Sequence, residues 1–238
     1  IPIFREISLG FNLIIKIIQV QLPFDLLITY NPFKRHIYCG YFIKKFLKKK
    51  WALIIADGEK DGNPDLNIYL SYDTYIRENG KKILMQGGLS DFKIPLYIQT
   101  VKKIILFTGN ISKLTGIIDF ALLFNEISNS NFELHIYGKG YDEILKNLSE
   151  KNSSIKIFGF VNDEVLENAM RSAWIYVNPR SISEETLQNT FPSKILEYLR
   201  YGKPILSTKS SGIGNKYDSF LFYYNSEDLY SLIKTHLI

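Results

Sequence analysis

"FPSKILEYLRYGKPILST", residues 191–208, decides how this chain is read. It has the grammar of loop, helix, cap and strand. Pro192 suits a first helical turn, because its missing N–H would be unpaired there anyway. Ile195, Leu196 and Leu199 recur at helical spacing and form a core face. Gly202 is placed for a left-handed C-cap, and Pro204 cannot continue the helix. "PILST" (204–208) then reads as a strand. Ser193 and Glu197 are four apart and share the polar face. That face lies at a helix start, where free N–H groups and the dipole attract anions. The stretch predicts a phosphate site with a carboxylate one turn further in.

The same alternation extends outward. "KKIILFTGN" (102–110), "FELHIYGKG" (132–140), "SIKIFGFV" (154–161), "WIYVNP" (174–179) and "SFLFYY" (219–224) predict strands. Helical periods separate them: Gly116 to Ile127, 141–150, a segment capped by Asn162 or Asp163 that runs through Ser172, and a last helix from near Glu227. Strands and helices at this spacing predict a parallel sheet covered on both faces. Ligands of such sheets bind at the carboxyl ends of the strands. The loops to watch are therefore 108–116, 138–141, 160–163 and 178–194. The first part repeats the style less completely. "FDLLITYNP" (24–32), "WALIIADGE" (51–59), "NIYLSYD" (67–73) and "KKILMQGG" (81–88) predict strands, with a helix from Lys34 to Lys50. Two α/β lobes are expected, over 1–94 and 102–238, joined by a linker at 95–101. The first lobe lacks its opening strands, and the chain starts on Ile rather than Met, so a piece of a longer protein is expected.

Composition narrows the function classes. The chain has 238 residues, 46% hydrophobic and 22% charged, which is ordinary for a soluble globular protein. Its net charge is +5; residues 1–100 hold 14 Lys+Arg and 9 Asp+Glu, and the remainder 15 of each, so the basic excess lies in the first part. The single Cys39 excludes an intrachain disulfide and fits a reducing compartment. The apolar run Phe11 to Leu22 contains Lys16 and two Gln, and is too short and too polar to span a bilayer. A cytoplasmic protein is expected. Three scattered His and one Cys give no metal-ligand spacing. His135 alternates with apolar residues and reads as structural, and His236 as surface. No G-x-x-x-x-G-K-[ST] or G-x-G-x-x-G pattern occurs, which counts against NTPase and dehydrogenase readings.

The loop "NPRSISEETLQNTFPSK" (178–194) carries the chemistry. Arg180 offers a guanidinium fork suited to phosphate. Glu184 or Glu185 could accept hydrogen bonds from sugar hydroxyls. Backbone N–H groups of Ser193 and Lys194 could hold a diphosphate, with Lys194 adding charge, and Glu197 could grip a ribose diol. The plain alternative is a solvated loop before a well-capped helix.

On these residues, 102–238 resemble the C-terminal lobe of retaining GT-B glycosyltransferases of family four, closest to the branch that builds bacterial surface polysaccharides. "NPR" (178–180) and "FPSKILEYLRYGKP" (191–204) carry the likeness. The family signature is E-x7-E followed by a small-Gly-Lys-Pro turn. Glu197 matches the second Glu and "YGKP" the turn, while the first Glu falls on Asn189. Its role toward the donor sugar would pass to Asn189, Glu184 or Glu185. The family's opening loop reads Gly-Arg, then Lys-Gly; here it is "GNISKLTG" (109–116). After Gly109, Asn110 stands where Arg is expected and Thr115 where Lys is expected, with Lys113 near but out of register. Arg180 and Lys194 are the candidates to compensate. "FGFV" (158–161) resembles the segment beside the nucleotide base and brings in Phe160 and Val161. "GKG" (138–140) resembles the turn under the donor and brings in Gly138. Phe191 and Pro192 of "FPSK" join the donor set with Ser193. In the first lobe, Asp57 of "WALIIADG" (51–58) is a catalytic candidate at the cleft, or a cap of the turn with Gly58. His36 is a second cleft candidate.

The resemblance implies an α/β protein of GT-B type, with two Rossmann-like lobes on parallel sheets. It implies transfer of a sugar from a nucleotide sugar to a glycan or lipid-linked acceptor, with retention of configuration. Charge on the leaving diphosphate would be met by Arg180, Lys194 and helix N-termini, with no metal or other cofactor. The altered Asn110 and Asn189 also suit a non-catalytic nucleotide-sugar-binding protein of this fold, and a GT-B epimerase shares the architecture. The basic segment "FIKKFLKKK" (42–50) puts Phe42, Ile43, Phe46 and Leu47 on one side and Lys44, Lys45, Lys48 and Lys49 on the other. It reads as a core-facing helix with a solvated face, or as a contact with an anionic membrane surface at about 1 kcal/mol per cation. The second option would make the protein peripheral at the inner face of the cell membrane. No stacking motif accompanies the lysines, so nucleic acid is not an expected partner.

Overall fold

The computed structural model describes residues 2–20, 23–56, 61–88, 95–127, 131–180, 190–225 and 229. The chain forms two compact units. The first gathers Ile1–Gly87 with Asn189–Phe191 and Ser211–Ile213; the second gathers Gly88–Gln188, Pro192–Ser210 and Gly214–Ile238.

The first unit runs α1 (Pro2–Val20), β1 (Leu26–Tyr30), α2 (Lys34–Phe46), β2 (Lys50–Ile55), β3 (Leu66–Tyr69), α3 (Tyr72–Arg77) and β4 (Lys82–Leu84). Its sheet has the order β1-β2-β3-β4, with every pairing parallel. In β2, Trp51, Ala52, Leu53 and Ile55 are all buried, as expected of a strand covered on both faces. A Cβ on Gly40 of α2 would lie 2.1 Å from the Trp51 ring, so this glycine lets the helix sit on the sheet. The indole N–H of Trp51 donates to Thr29 Oγ1 at 2.8 Å, which satisfies a buried polar pair. Helix α1 packs Ile14 against Cys39 and Ile43, and Glu6 bridges to Arg35 at 3.1 Å.

Three expectations change here. The helix predicted to Lys50 stops at Phe46: Lys48 takes φ +54, and the chain turns into β2. Of its predicted apolar side, Ile43 is buried, but Phe46 and Leu47 are 61% and 38% exposed. The strand predicted over 67–73 stops at Tyr69. Ser71 instead accepts a hydrogen bond from the Thr74 N–H and caps α3. His36 places Nδ1 2.7 Å from the Tyr30 carbonyl, which ties it to the β1–α2 turn.

The second unit runs β5 (Lys103–Thr108), a 3₁₀ turn (Lys113–Thr115), α4 (Ile117–Ile127), β6 (Phe132–Tyr137), α5 (Glu143–Lys151), β7 (Ile155–Gly159), α6 (Asp163–Ser172), β8 (Ile175–Asn178), α7 (Lys194–Leu199), β9 (Ile205–Ser207), a 3₁₀ turn (Asn215–Tyr217) and β10 (Leu221–Tyr223). The sheet order is β10-β9-β8-β5-β6-β7, again with parallel pairings. The direction of winding reverses beside β5, where β6 lies on one side and β8 on the other. Ile105, Phe107, Leu134, Ile136, Ile175, Val177 and Leu206 of the strands meet Ile117, Phe120 and Phe124 of α4 in one core. Each such side chain contributes about 1.5–3 kcal/mol by leaving water. Asn162 caps α6 by accepting from the Val165 N–H at 2.9 Å, which settles the choice between Asn162 and Asp163. Gly202 takes φ +62, the left-handed cap predicted after α7. The last predicted helix lies outside the described residues apart from Leu229, which is buried in the core. Among the described residues, no helix is long and apolar enough to cross a membrane.

Candidate functional site

The winding reversal beside β5 opens a crevice at the carboxyl edge of the second sheet, the place where doubly wound sheets bind ligands. Three strand ends build it, and their ladders continue past the strands. The Gly109 N–H donates to the Tyr137 carbonyl at 2.9 Å, the Gly138 N–H to the Gly159 carbonyl at 2.8 Å, and the Ile111 N–H to the Lys139 carbonyl at 2.7 Å. Gly138 has φ +149, and a Cβ there would fall 1.6 Å from the Gly109 carbonyl oxygen. Only glycine permits this approach. The result is a cleft of about 340 Å³. It is lined by Thr108, Gly109 and Asn110 after β5, Tyr137, Gly138 and Lys139 after β6, Gly159, Phe160 and Val161 after β7, and by Asp163, Leu166 and Lys194.

Its chemistry comes from four side chains. Phe160 is 72% exposed, and the Lys139 ammonium sits 4.4 Å from its ring centroid. Lys194 pairs with Glu197 at 2.5 Å. Asp163 opens α6 and is the one carboxylate among the lining residues. Below them, Tyr137 stacks on Phe158 at 4.5 Å, and burial pushes its hydroxyl pKa up, so it stays protonated.

Helix α7 is tied to the cleft floor from beneath. The buried Thr108 N–H donates to Tyr198 Oη at 3.0 Å. Burial pushes the Tyr198 hydroxyl to about 12. Its ring stacks on Tyr176 of β8 at 4.5 Å, and the Tyr176 hydroxyl donates to the Met170 carbonyl at 2.6 Å. The helix has only six residues. The N–H groups of Ile195 and Leu196 are already taken by the Pro192 and Ser193 carbonyls at 3.0 and 3.1 Å. The predicted anion attraction of its N-terminus therefore rests on the Lys194 charge more than on a dipole.

The structure brings Gly109, Asn110, Gly138, Phe160, Val161 and Lys194 together around the cleft. Other predicted residues do not line it. Lys113 is exposed in the 3₁₀ turn. Arg180 follows β8, where its carbonyl accepts from Thr208 Oγ1 at 2.8 Å. Pro192 is buried, Ser193 exposed and Phe191 half-buried, all outside the lining. Glu197 meets Lys194 rather than Ser193. Asp57, Glu184, Glu185 and Asn189 lie outside the described residues. Thr115, which replaces an expected Lys, holds Oγ1 2.8 Å from both the Asn110 and the Ser112 carbonyls and closes its own loop. Sequence reasoning passed over Thr108, Tyr137, Lys139, Gly159, Asp163 and Leu166. A lysine between two glycines at a strand end was the available signal for Lys139. Nothing local marks Asp163 or Leu166, which reach the cleft through the packing of α6. Among the described residues, no cluster of three His, Cys, Asp or Glu could hold a metal ion.

A family model described as glycosyl transferases group 1 matches residues 102–237. The chain belongs to that family. The glycosyltransferase is also similar to solved structures. Against Anabaena Alr3699/HepE in complex with UDP the TM-score is 0.71 at 15% identity, over 94% of this chain and 72% of that one. Against sucrose-phosphate synthase from Thermosynechococcus elongatus it is 0.67 at 14% identity, over 92% and 66%. Against TarM it is 0.63 at 14% identity, over 89% and 47%. These likenesses show the fold, a GT-B arrangement of two parallel-sheet units. No curated protein matches the sequence.

Proposed function

We propose that this glycosyltransferase takes a sugar from a nucleotide-sugar donor bound in the cleft of its second unit and passes it, with retention of configuration, to a glycan or lipid-linked acceptor in polysaccharide biosynthesis. The observation that carries the reading is the cleft itself: glycine-lined strand ends at the winding reversal, with the Lys139 ammonium beside an exposed aromatic ring and Lys194 in the lining. The Anabaena neighbour was solved with UDP and with UDP-glucose, which supports a nucleotide sugar here. The hard step is departure of the diphosphate, because negative charge grows on its oxygen as the sugar C1–O bond breaks. Fixed positive charge aimed at that oxygen lowers the barrier. Lys194 supplies it here without a divalent cation, and Arg180 and Asp57 remain candidates toward the sugar and acceptor. The acceptor oxygen bonds to C1 from the face the diphosphate leaves, and its proton passes to the leaving phosphate oxygen. Phe160 and Val161 flank the base, and Glu197 exchanges its Lys194 partner for the ribose diol. The enzyme works in the cytoplasm and meets an anionic membrane through Lys45 and Lys48. Lys44 and Lys49 contribute less, being paired with Asp65 and Asp25 at 3.2 and 3.3 Å.

Calorimetric titration with UDP-, GDP- and ADP-sugars in a chelator tests this. One donor binding saturably, and more weakly to a folded Lys194→Ala variant, is the expected result. A folded wild-type chain that binds no nucleotide sugar overturns the reading.

A further inference from the structure

The loop after β5 brings only Thr108, Gly109 and Asn110 to the cleft, none of them charged, and its one cation, Lys113, is exposed outside the lining. A diphosphate in the cleft still needs charge. Lys194 brings one ammonium, paired with Glu197 at 2.5 Å before a donor arrives, and a diphosphate carries more than one negative charge. The geometry points to Lys139 as the residue that binds the donor's diphosphate. This assignment rests on the nucleotide-sugar reading and deepens it.

Three features of Lys139 carry the argument. Its backbone is fixed. It lies between Gly138 at φ +149 and Gly140 at φ +123, and its carbonyl accepts from the Ile111 N–H at 2.7 Å. A Cβ on Gly140 would come within 2.4 Å of the Ile111 carbonyl oxygen, so the turn presses against the loop after β5, whose one cation, Lys113, does not line the cleft. Its charge is not spent, because among the described residues no carboxylate pairs with it. Its ammonium rests 4.4 Å from the Phe160 ring centroid, at an exposed site where a cation–π contact is weak. That contact keeps the long side chain over the cleft and yields readily to a phosphate, which offers a much stronger charge-assisted hydrogen bond. Lys139 then brings to the cleft, from the β6 turn, a charge that the loop after β5 does not direct there.

The test compares nucleoside diphosphates with monophosphates, using the pairs UDP and UMP, GDP and GMP, and ADP and AMP. Each is titrated into wild type, Lys139→Met and Lys139→Arg, with folding checked by circular dichroism. Met keeps the length of the stem and its packing on Phe160 while removing the charge. Wild type should prefer the diphosphate of at least one pair. Lys139→Met should lose about 10- to 100-fold in diphosphate affinity while monophosphate affinity falls far less. Lys139→Arg should keep most of the preference. A preference that survives Lys139→Met in full overturns the assignment and leaves the donor reading standing. A wild-type chain that binds none of the six nucleotides overturns both. An equal loss for diphosphate and monophosphate would also overturn it, because it would place Lys139 beside the base or ribose.

Discussion

Removing one oxygen from Tyr198 should both soften the second unit and loosen its donor cleft. Strands β5 and β8 pair through Ile105 with Ile175 and Leu106 with Tyr176. Thr108 lies two residues further on, past that ladder, and its buried N–H finds the Tyr198 hydroxyl at 3.0 Å instead. In Tyr198→Phe the ring keeps its place against Tyr176 and almost no volume is lost, but the Thr108 N–H is orphaned. A buried unsatisfied donor costs about 1–3 kcal/mol. At roughly 2–4 °C per kcal/mol for a chain of this size, the melting temperature should fall by about 2–12 °C. The matched control is Tyr201→Phe, whose hydroxyl donates to Glu167 at 2.5 Å in a half-buried setting where water can replace it. Its drop should be smaller. Differential scanning calorimetry of wild type and both variants reads the difference directly. Titration with the donor found in the panel adds a second readout, because Tyr198 ties the helix that carries Lys194 to the strand end that floors the cleft. The reasoning fails if Tyr198→Phe melts with wild type, or if Tyr201→Phe melts lower.

Three other outcomes follow from single observations. Gly138→Ala puts a methyl 1.6 Å from the Gly109 carbonyl oxygen and should cost about 4 kcal/mol or more, seen as an insoluble or unfolded second unit; a stable variant with intact nucleotide binding would refute the packing argument. Burial pushes the Glu133 carboxyl up, but hydrogen bonds from Lys156, His135 and Lys102 overcome it and hold it at about 2, against 4.5 when unfolded. Because the folded value is the lower one, its contribution is complete above about pH 5 and disappears as pH falls toward 2. Melting curves over that range should therefore be flatter for Glu133→Gln than for wild type, and parallel curves would remove Glu133 from the account. Lys45→Glu with Lys48→Glu should reduce co-sedimentation with phosphatidylserine vesicles, by up to about fivefold per charge, and leave phosphatidylcholine controls unchanged. Equal sedimentation would end the membrane reading.

What could be read from the sequence was what local chemistry decides. In the second unit, buried runs such as Ile104–Phe107 and Leu134–Tyr137 could only be strands. Asn162 and Gly202 mark helix ends by their own backbone preferences. The failures came where two local rules compete. Ser71 lies in a run with strand-like alternation, yet its hydroxyl caps a helix. Lys48 ends α2 inside an unbroken amphipathic pattern, because the chain must turn back to reach β2. The cleft was legible as a set of glycine loops at strand ends, since Gly109 and Gly138 had no other evident use. Its charged members were harder. Glu197 shares a polar face with Ser193 by spacing, but the spacing did not reveal that the lysine three residues before it takes its carboxylate.

The cleft separates two jobs that sequence patterns tend to join. Its shape comes from backbone: Gly138 lets the ends of β5 and β6 approach closely, and the Gly109 and Gly138 N–H groups bond the neighbouring strand ends. Its charge comes from side chains that project into that frame from whichever loop is near. An ammonium on a four-carbon stem can reach the same point from several neighbouring strand ends. After β5, Thr115 closes its own loop through the Asn110 carbonyl. The two ammonium groups lining the cleft come instead from Lys139 on the β6 turn and Lys194 on α7. On this argument, Asn110→Arg should strengthen diphosphate binding by about tenfold or less in wild type. In Lys139→Met it should recover up to about tenfold of the lost affinity, which competition titration of the double variant would show. Failure to restore it would mean that the frame no longer accepts a cation from β5 and that the two strand ends are not interchangeable.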